Sequence, residues 1–226
     1  ERITAANARM KVVPTDRGVD KIAMDAGHAH HGSHPSSGGG ADPPEESGRH
    51  REGEEGGKAQ EHDRYGRDPH IWLSPPLVKI QARTILAALQ EVDPVHRSVY
   101  EANFKAFTAQ IDQLDADLKK IFAGKTGLQF VVLHPAWGYF AQAYGLKQVP
   151  IEIEGKDPKP AQLKGLIQHA RENRIKVVFV QPQFSTQSAK VVAREIGGQV
   201  AFTDPLAEDW MANLRQVADK FQAALK

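Results

Sequence analysis

Three short segments of this 226-residue chain place an imidazole or a carboxylate beside a proline: Asp68-Pro69-His70-Ile71-Trp72, Val132-Leu133-His134-Pro135 and Phe202-Thr203-Asp204-Pro205-Leu206. Proline ends regular backbone structure and restricts the residue before it, so each polar side chain projects in a defined direction. Two imidazoles and one carboxylate suit a borderline divalent ion such as zinc. Each residue also has a plainer reading. A histidine after a strand is more often hydrogen-bonded or exposed than a ligand, Asp204 suits a turn or cap, and Asp68 suits an Asx-turn ahead of Pro69. None of these residues sits at a helical ligand spacing such as HExxH. What favours a shared metal is that His70, His134 and Asp204 map to one edge of the sheet predicted below.

A second histidine group, His28, His30, His31 and His34, is followed by His50 and His62. It lies in a stretch, residues 25–70, that lacks Val, Ile, Leu, Met, Phe and Trp while holding ten Gly, four Pro and seven of the ten His. So little apolar surface cannot offset an ordering entropy of about 1–2 kcal/mol per residue, and a mobile loop is expected. Neutral imidazoles on a flexible chain bind zinc, copper or nickel weakly and lose them as they protonate at about pH 6.5. Weak, exchangeable collection of metal fits that chemistry, and a solvated low-complexity spacer is the plain alternative. Glu152 and Glu154 share one face of a strand, which reads as a solvated edge.

The elements that must position these groups are legible from periodicity. Tyr100, Phe104, Phe107, Ile111, Leu114, Leu118 and Ile121 recur every three or four residues, one face of a long helix from Pro94 to Phe122. At about 1.5 Å per residue it spans roughly 40 Å, long enough to tie two lobes together. Four strand–helix units follow. Leu128–Leu133 precedes Trp137–Tyr144, Val149–Ile153 precedes Pro160–Arg171, Lys176–Val180 precedes Ser185–Ile196, and Gln199–Thr203 precedes Trp210–Leu225. Pro160 suits a first helical turn, Ser185 an N-cap and Gly197-Gly198 a helix stop. Such alternation predicts an α/β fold with a parallel sheet, whose ligands bind beyond the carboxyl ends of the strands. The apolar patches before residue 25 predict two strands, or a helix end and a strand.

Several chemistries are excluded. Without cysteine there is no disulfide scaffold, CxxC redox site or thiolate metal centre. A net charge of +1 provides no electrostatic case for nucleic acid, and no uninterrupted apolar run reaches the roughly 18 residues of a membrane-inserted helix. The GxSxG, Walker, GxGxxG, HExxH and SxxK signatures are absent. A zinc hydrolase, the enzyme alternative, would need an open coordination position and a base beside the bound water. A polar Gln181 in place of a carboxylate disfavours it.

Five motifs in order, DPHIWLSP at Asp68–Pro75, HPAWGYF from His134, IEGKDP from Ile153, VFVQPQFS from Val178 and DPL at Asp204, resemble the ZnuA-type zinc-binding solute-binding proteins of ABC importers. The His-rich stretch falls where zinc-specific members carry a similar insertion. The resemblance implies two parallel-sheet lobes bridged by one long rigid helix, with the metal between them. It assigns 1–93 to the N-terminal lobe with a disordered His-rich loop at 25–69, 94–123 to the linking helix and 124–226 to the C-terminal lobe. It further implies that His70, His134 and Asp204 bind transported Zn²⁺, with His28, His30, His31 and His34 as weak secondary sites. The expected protein is a monomeric, extracytoplasmic or periplasmic carrier that delivers zinc to an ABC transporter permease and catalyses nothing. Lipid anchoring would apply if an anchor preceded Glu1.

Imidazole at residue 134, where manganese-type relatives have a carboxylate, favours zinc over a hard oxygen-preferring ion. A manganese- or iron-type importer subunit is the alternative within the class, and an adhesin finds no support in these residues. In one respect the chain departs from the pattern. The family has a further histidine ligand early in the first lobe, whereas no histidine precedes His28. The expectation is that the N-terminal strands carrying that ligand are missing here and that zinc affinity is correspondingly lower.

Overall fold

The computed structural model describes residues 6–7, 9–24, 66–153 and 155–225. His28, His30, His31 and His34 lie outside the described residues, as does Glu154. A short 3₁₀ turn, Ile71–Leu73, leads into α1 (Pro75–Val92), and a second, Pro94–His96, leads into α2 (Arg97–Phe122). The helix predicted from Pro94 is therefore α2 with a tighter first turn. Both α1 and its 3₁₀ neighbour start on proline, whose fixed φ and missing N–H suit a first turn.

The apolar stripe of α2 divides in two. Ile111, Leu114 and Leu118 are fully buried, whereas Tyr100 and Phe104 are half-buried and Phe107 is exposed. The buried half packs against the rest of the core, and the helix also lies along α1.

Beyond α2 come β1 (Gln129–Val132), α3 (Gly138–Ala143), β2 (Lys147–Pro150), α4 (Pro160–Glu172), β3 (Val177–Val180), α5 (Gln187–Glu195), β4 (Gln199–Phe202) and α6 (Trp210–Ala224). The strands form one parallel sheet in the order β2-β1-β3-β4. Alternate side chains on a strand point to opposite faces, which divides the core in two. Phe130, Val132 and Phe179 face α2, α3 and α6, with Phe221 of α6 centred 4.4 Å from both Phe130 and Phe179. Val131, Leu133, Val178 and Val180 face Ala170 of α4 and Ala189, Val192 and Ala193 of α5. The α/β class, the parallel sheet and the long helix are as the sequence predicts. Among the described residues the sheet lies wholly after residue 128.

Before residue 70 the expected pair of elements is reduced, among the described residues, to one antiparallel bridge between Ala23 and Arg67. It is extended by bonds from Met24 N to the Gly66 carbonyl and from Asp68 N to the Ile22 carbonyl. Ser185 is not the N-cap expected of it. The segment first closes a turn from Phe184 N to the Gln181 carbonyl, so the helix starts at Gln187 with Thr186 before it. Pro160 does begin its helix, and Gly197 ends α5 with φ +62°. A Cβ on Gly198 would sit 2.1 Å from the Lys176 carbonyl oxygen, which accepts the bond from Gln199 N that starts the β3–β4 ladder. Only glycine permits that approach. No helix among the described residues is long and apolar enough to cross a membrane.

Candidate metal centre

Asp68 is 1% exposed and organises the first segment. Its Oδ1 accepts from His70 N at 2.9 Å, the Asx-turn geometry that the sequence allows, and also lies 2.7 Å from His70 Nδ1. Its carbonyl accepts from the Tyr139 hydroxyl at 2.9 Å, and that hydroxyl accepts in turn from Ile22 N at 3.2 Å. Burial pushes the Tyr139 phenol above its ordinary pKa, which keeps the hydroxyl a donor. Gly138, at the start of α3, explains part of the HPAWGYF motif. A Cβ there would lie 2.8 Å from Asp68 Oδ2 and 3.1 Å from Ile22 Cδ1. The glycine admits the carboxylate against the helix.

His134 sits two residues beyond β1. The parallel ladder continues past the regular strands, with Ile151 N bonding the Val132 carbonyl and Glu152 N the Leu133 carbonyl. That extension brings Glu152 beside His134, Oε2 to Nδ1 at 2.8 Å. Glu152 is 9% exposed, so the solvated-edge reading of this residue is corrected: the carboxylate is turned inward onto an imidazole.

His70 and His134 are 64 positions apart in the chain, yet their ring centroids are 5.4 Å apart with planes at 77°. Each engages a buried carboxylate through Nδ1, so Nε2 is the ring nitrogen that a metal would take. Carboxylate–imidazole pairs of this kind fix tautomer and orientation in metal sites and raise ligand basicity. Two imidazoles on one tetrahedral zinc, with Zn–N of about 2.0–2.1 Å, have centroids roughly 5 Å apart. The observed centroid spacing is within reach of that value.

Asp204 follows β4 at the same carboxyl end of the sheet. Its Oδ1 accepts from Leu206 N and from Gln183 Nε2, both at 2.9 Å, and its carbonyl accepts from Asn213 Nδ2 at 2.7 Å. The bond to Leu206 is the turn function that the sequence offers as the plain reading. Among the described residues no third His, Asp or Glu forms a metal-holding group with the imidazole pair. The fold thus brings His70 and His134 together and leaves Asp204 tied into its own turn. A link to that turn exists through Trp72, whose Nε1 donates to the Pro205 carbonyl at 2.9 Å and whose carbonyl accepts from Trp210 Nε1 at 2.8 Å.

Sequence reasoning does not assign Asp68 and Glu152 their roles. Spacing could not have found Glu152, because it meets His134 only across a strand pair. The i to i+2 relation of Asp68 and His70 was visible, but ring orientation was not. Gln181 Oε1 and Thr203 Oγ1 are buried without a hydrogen-bond partner among the described residues. Each lies one residue beyond the Val180–Phe202 register pair, at the site's end of the sheet.

Comparison with known proteins identifies a family. The family described as "ZnuA: Zinc-uptake complex component A periplasmic" matches residues 1–224. The high-affinity zinc uptake system protein ZnuA of Bacillus subtilis (strain 168) is 34% identical over 144 residues, 63% of this chain and 45% of that protein. The iron-binding protein YfeA of Yersinia pestis is 36% identical over 148 residues, 62% of this chain and 47% of that protein. The chain thus spans about half the length of these two relatives. A crystal structure of ZnuA superposes on 100% of the chain, and on 74% of its own, with TM-score 0.80 and 40% identity.

Proposed function

The chain belongs to the ZnuA family of zinc-uptake components, and from that premise we propose that it captures Zn²⁺ outside the cytoplasm and delivers it to the permease of an ABC importer. The observation that carries the reading is the His70–His134 pair, two imidazoles 5.4 Å apart that are each held at Nδ1 by a carboxylate. Asp204 becomes a third donor through Oδ2 once its turn moves toward the imidazole pair, because among the described residues the pair has no third metal-holding partner, and its Oδ1 stays with Leu206 N and Gln183. Residues 1–93 and 124–226 act as two lobes joined by 94–123, and the protein works as a monomeric carrier. The role is carriage, as in the matched zinc-uptake family, and the two carboxylates beside the pair, Asp68 and Glu152, are each engaged by an imidazole Nδ1. His28, His30, His31 and His34 collect metal weakly.

Metal content after mild purification tests the reading. The intact protein should hold one tight zinc equivalent, lost in both His70→Ala and His134→Ala. Retention of that equivalent in either variant overturns it. Iron is the second reading, favoured by the 36% identity to an iron-binding protein. Imidazoles at residues 70 and 134 favour the softer ion, and competition between Zn²⁺, Mn²⁺ and Fe²⁺ distinguishes the two.

A further inference from the structure

One short loop reaches both candidate ligands of the second half. Gln181, 1% exposed, donates Nε2 to the His134 carbonyl at 3.2 Å. Gln183 donates to Asp204 Oδ1 at 2.9 Å. Phe184 lays its ring on the His134 imidazole, centroids 4.9 Å apart and planes within 15° of parallel. The loop closes on itself through Phe184 N to the Gln181 carbonyl at 3.3 Å.

Phe184 is 39% exposed and belongs to neither hydrophobic core cluster. A large apolar side chain in a loop would ordinarily bury itself against aliphatic neighbours. This one keeps an exposed edge and spends a face on the imidazole. A single bond from Nδ1 to Glu152 leaves the ring free to twist about that bond, carrying Nε2 away from His70. A flat ring stacked on one face opposes the twist, and it also keeps water from that side of a metal bound at Nε2.

We propose that Phe184 is a positioning residue for metal capture, holding the plane of the His134 ring so that Nε2 stays aimed at the ion shared with His70, and slowing release of that ion. The inference rests on the reading of His134 as a ligand. Stacked aromatic pairs contribute enough that removing one should speed release about three- to tenfold.

The test follows zinc release from the intact protein into excess chelator by stopped flow. Phe184→Ala should release zinc about three- to tenfold faster. Phe184→Tyr should restore the native rate, while Phe184→Leu, apolar but not flat, should not. A second readout needs no metal. Relaxation of the His134 ring Cε1–H in the metal-free protein should report greater ring motion in Phe184→Ala, with His169 unchanged as an internal reference. Unchanged release and ring motion in Phe184→Ala, or full rescue by leucine, overturns the proposal. The His134→Ala variant separates the two ideas. If it keeps the tight zinc, the ligand reading fails whatever Phe184 does; if it loses zinc while Phe184→Ala behaves as native, only this inference fails.

Discussion

Glu152 Oε2 lies 2.8 Å from His134 Nδ1, a contact made by an extension of the β1–β2 ladder that pairs Glu152 N with the Leu133 carbonyl. The carboxylate holds one tautomer of the imidazole and adds electron density to its other nitrogen, the one proposed to take the metal. Replacing it by glutamine keeps the shape and removes the charge. Glu152→Gln should therefore weaken zinc binding by about 10–100-fold with little change in unfolding midpoint, as measured by chelator competition. Native affinity in the variant would mean that the carboxylate plays no part in binding.

The first imidazole depends on a longer chain of support. Tyr139 accepts from Ile22 N and donates to the Asp68 carbonyl, and Asp68 holds His70. Tyr139→Phe leaves a part-buried N–H and a buried carbonyl without this partner, at a cost of about 1–3 kcal/mol in urea unfolding. Zinc affinity should fall as well, because the Asp68–His70 segment loses its anchor. An equal loss of stability in Glu152→Gln would remove the distinction drawn between the two supports.

Gly138 offers a steric test of the same segment. Its missing Cβ would meet Asp68 Oδ2 at 2.8 Å, and Asp68 has no solvent to retreat into. Gly138→Ala should destabilise the fold by about 1–3 kcal/mol and should disturb the His70 ring signals in an NMR spectrum more than those of His169. Unperturbed His70 signals would show that the carboxylate can shift freely.

Alkaline pH should weaken the fold from a known direction. Burial first, then the nearby Asp115 charge and its hydrogen bond, raise the Tyr144 phenol far above its ordinary value, and burial raises Tyr139. Both phenols keep their protons in the folded state at a pH where the unfolded chain has lost them. Stability from this source is complete below about pH 10, the unfolded value, and falls as pH rises beyond it. Urea unfolding between pH 8 and 11.5 should show that decline, and Tyr144→Phe should flatten it. A decline as steep in that variant would assign the effect to other groups.

Removing residues 28–62 tests the weak histidines separately. The tight equivalent should survive and several weak ones should vanish in a calorimetric titration. Loss of the tight equivalent would make a loop histidine a true ligand.

Much of the fold was legible from residue types alone, because periodicity is a local property. The stripe from Tyr100 to Ile121 predicts α2, and the runs Leu128–Leu133, Lys176–Val180 and Gln199–Thr203 predict strands close to β1, β3 and β4, whereas Val149–Ile153 overlaps β2 (Lys147–Pro150) by two residues. Pro160 and Gly197 mark ends through their own backbone restrictions. Ser185 misleads, since its cap depends on how the preceding turn closes. His70 and His134 could be singled out as candidate ligands from their neighbouring prolines and the five-motif resemblance. Their meeting at 5.4 Å is decided by tertiary structure, which alone sets distances across 64 residues of chain. So are the inward turn of Glu152, the stacking of Phe184 and the capture of Asp204 Oδ1 by Leu206 and Gln183. Chemistry resides in side-chain type, which any sequence displays. Orientation resides in contacts between segments that the linear order keeps apart, and a metal responds to orientation.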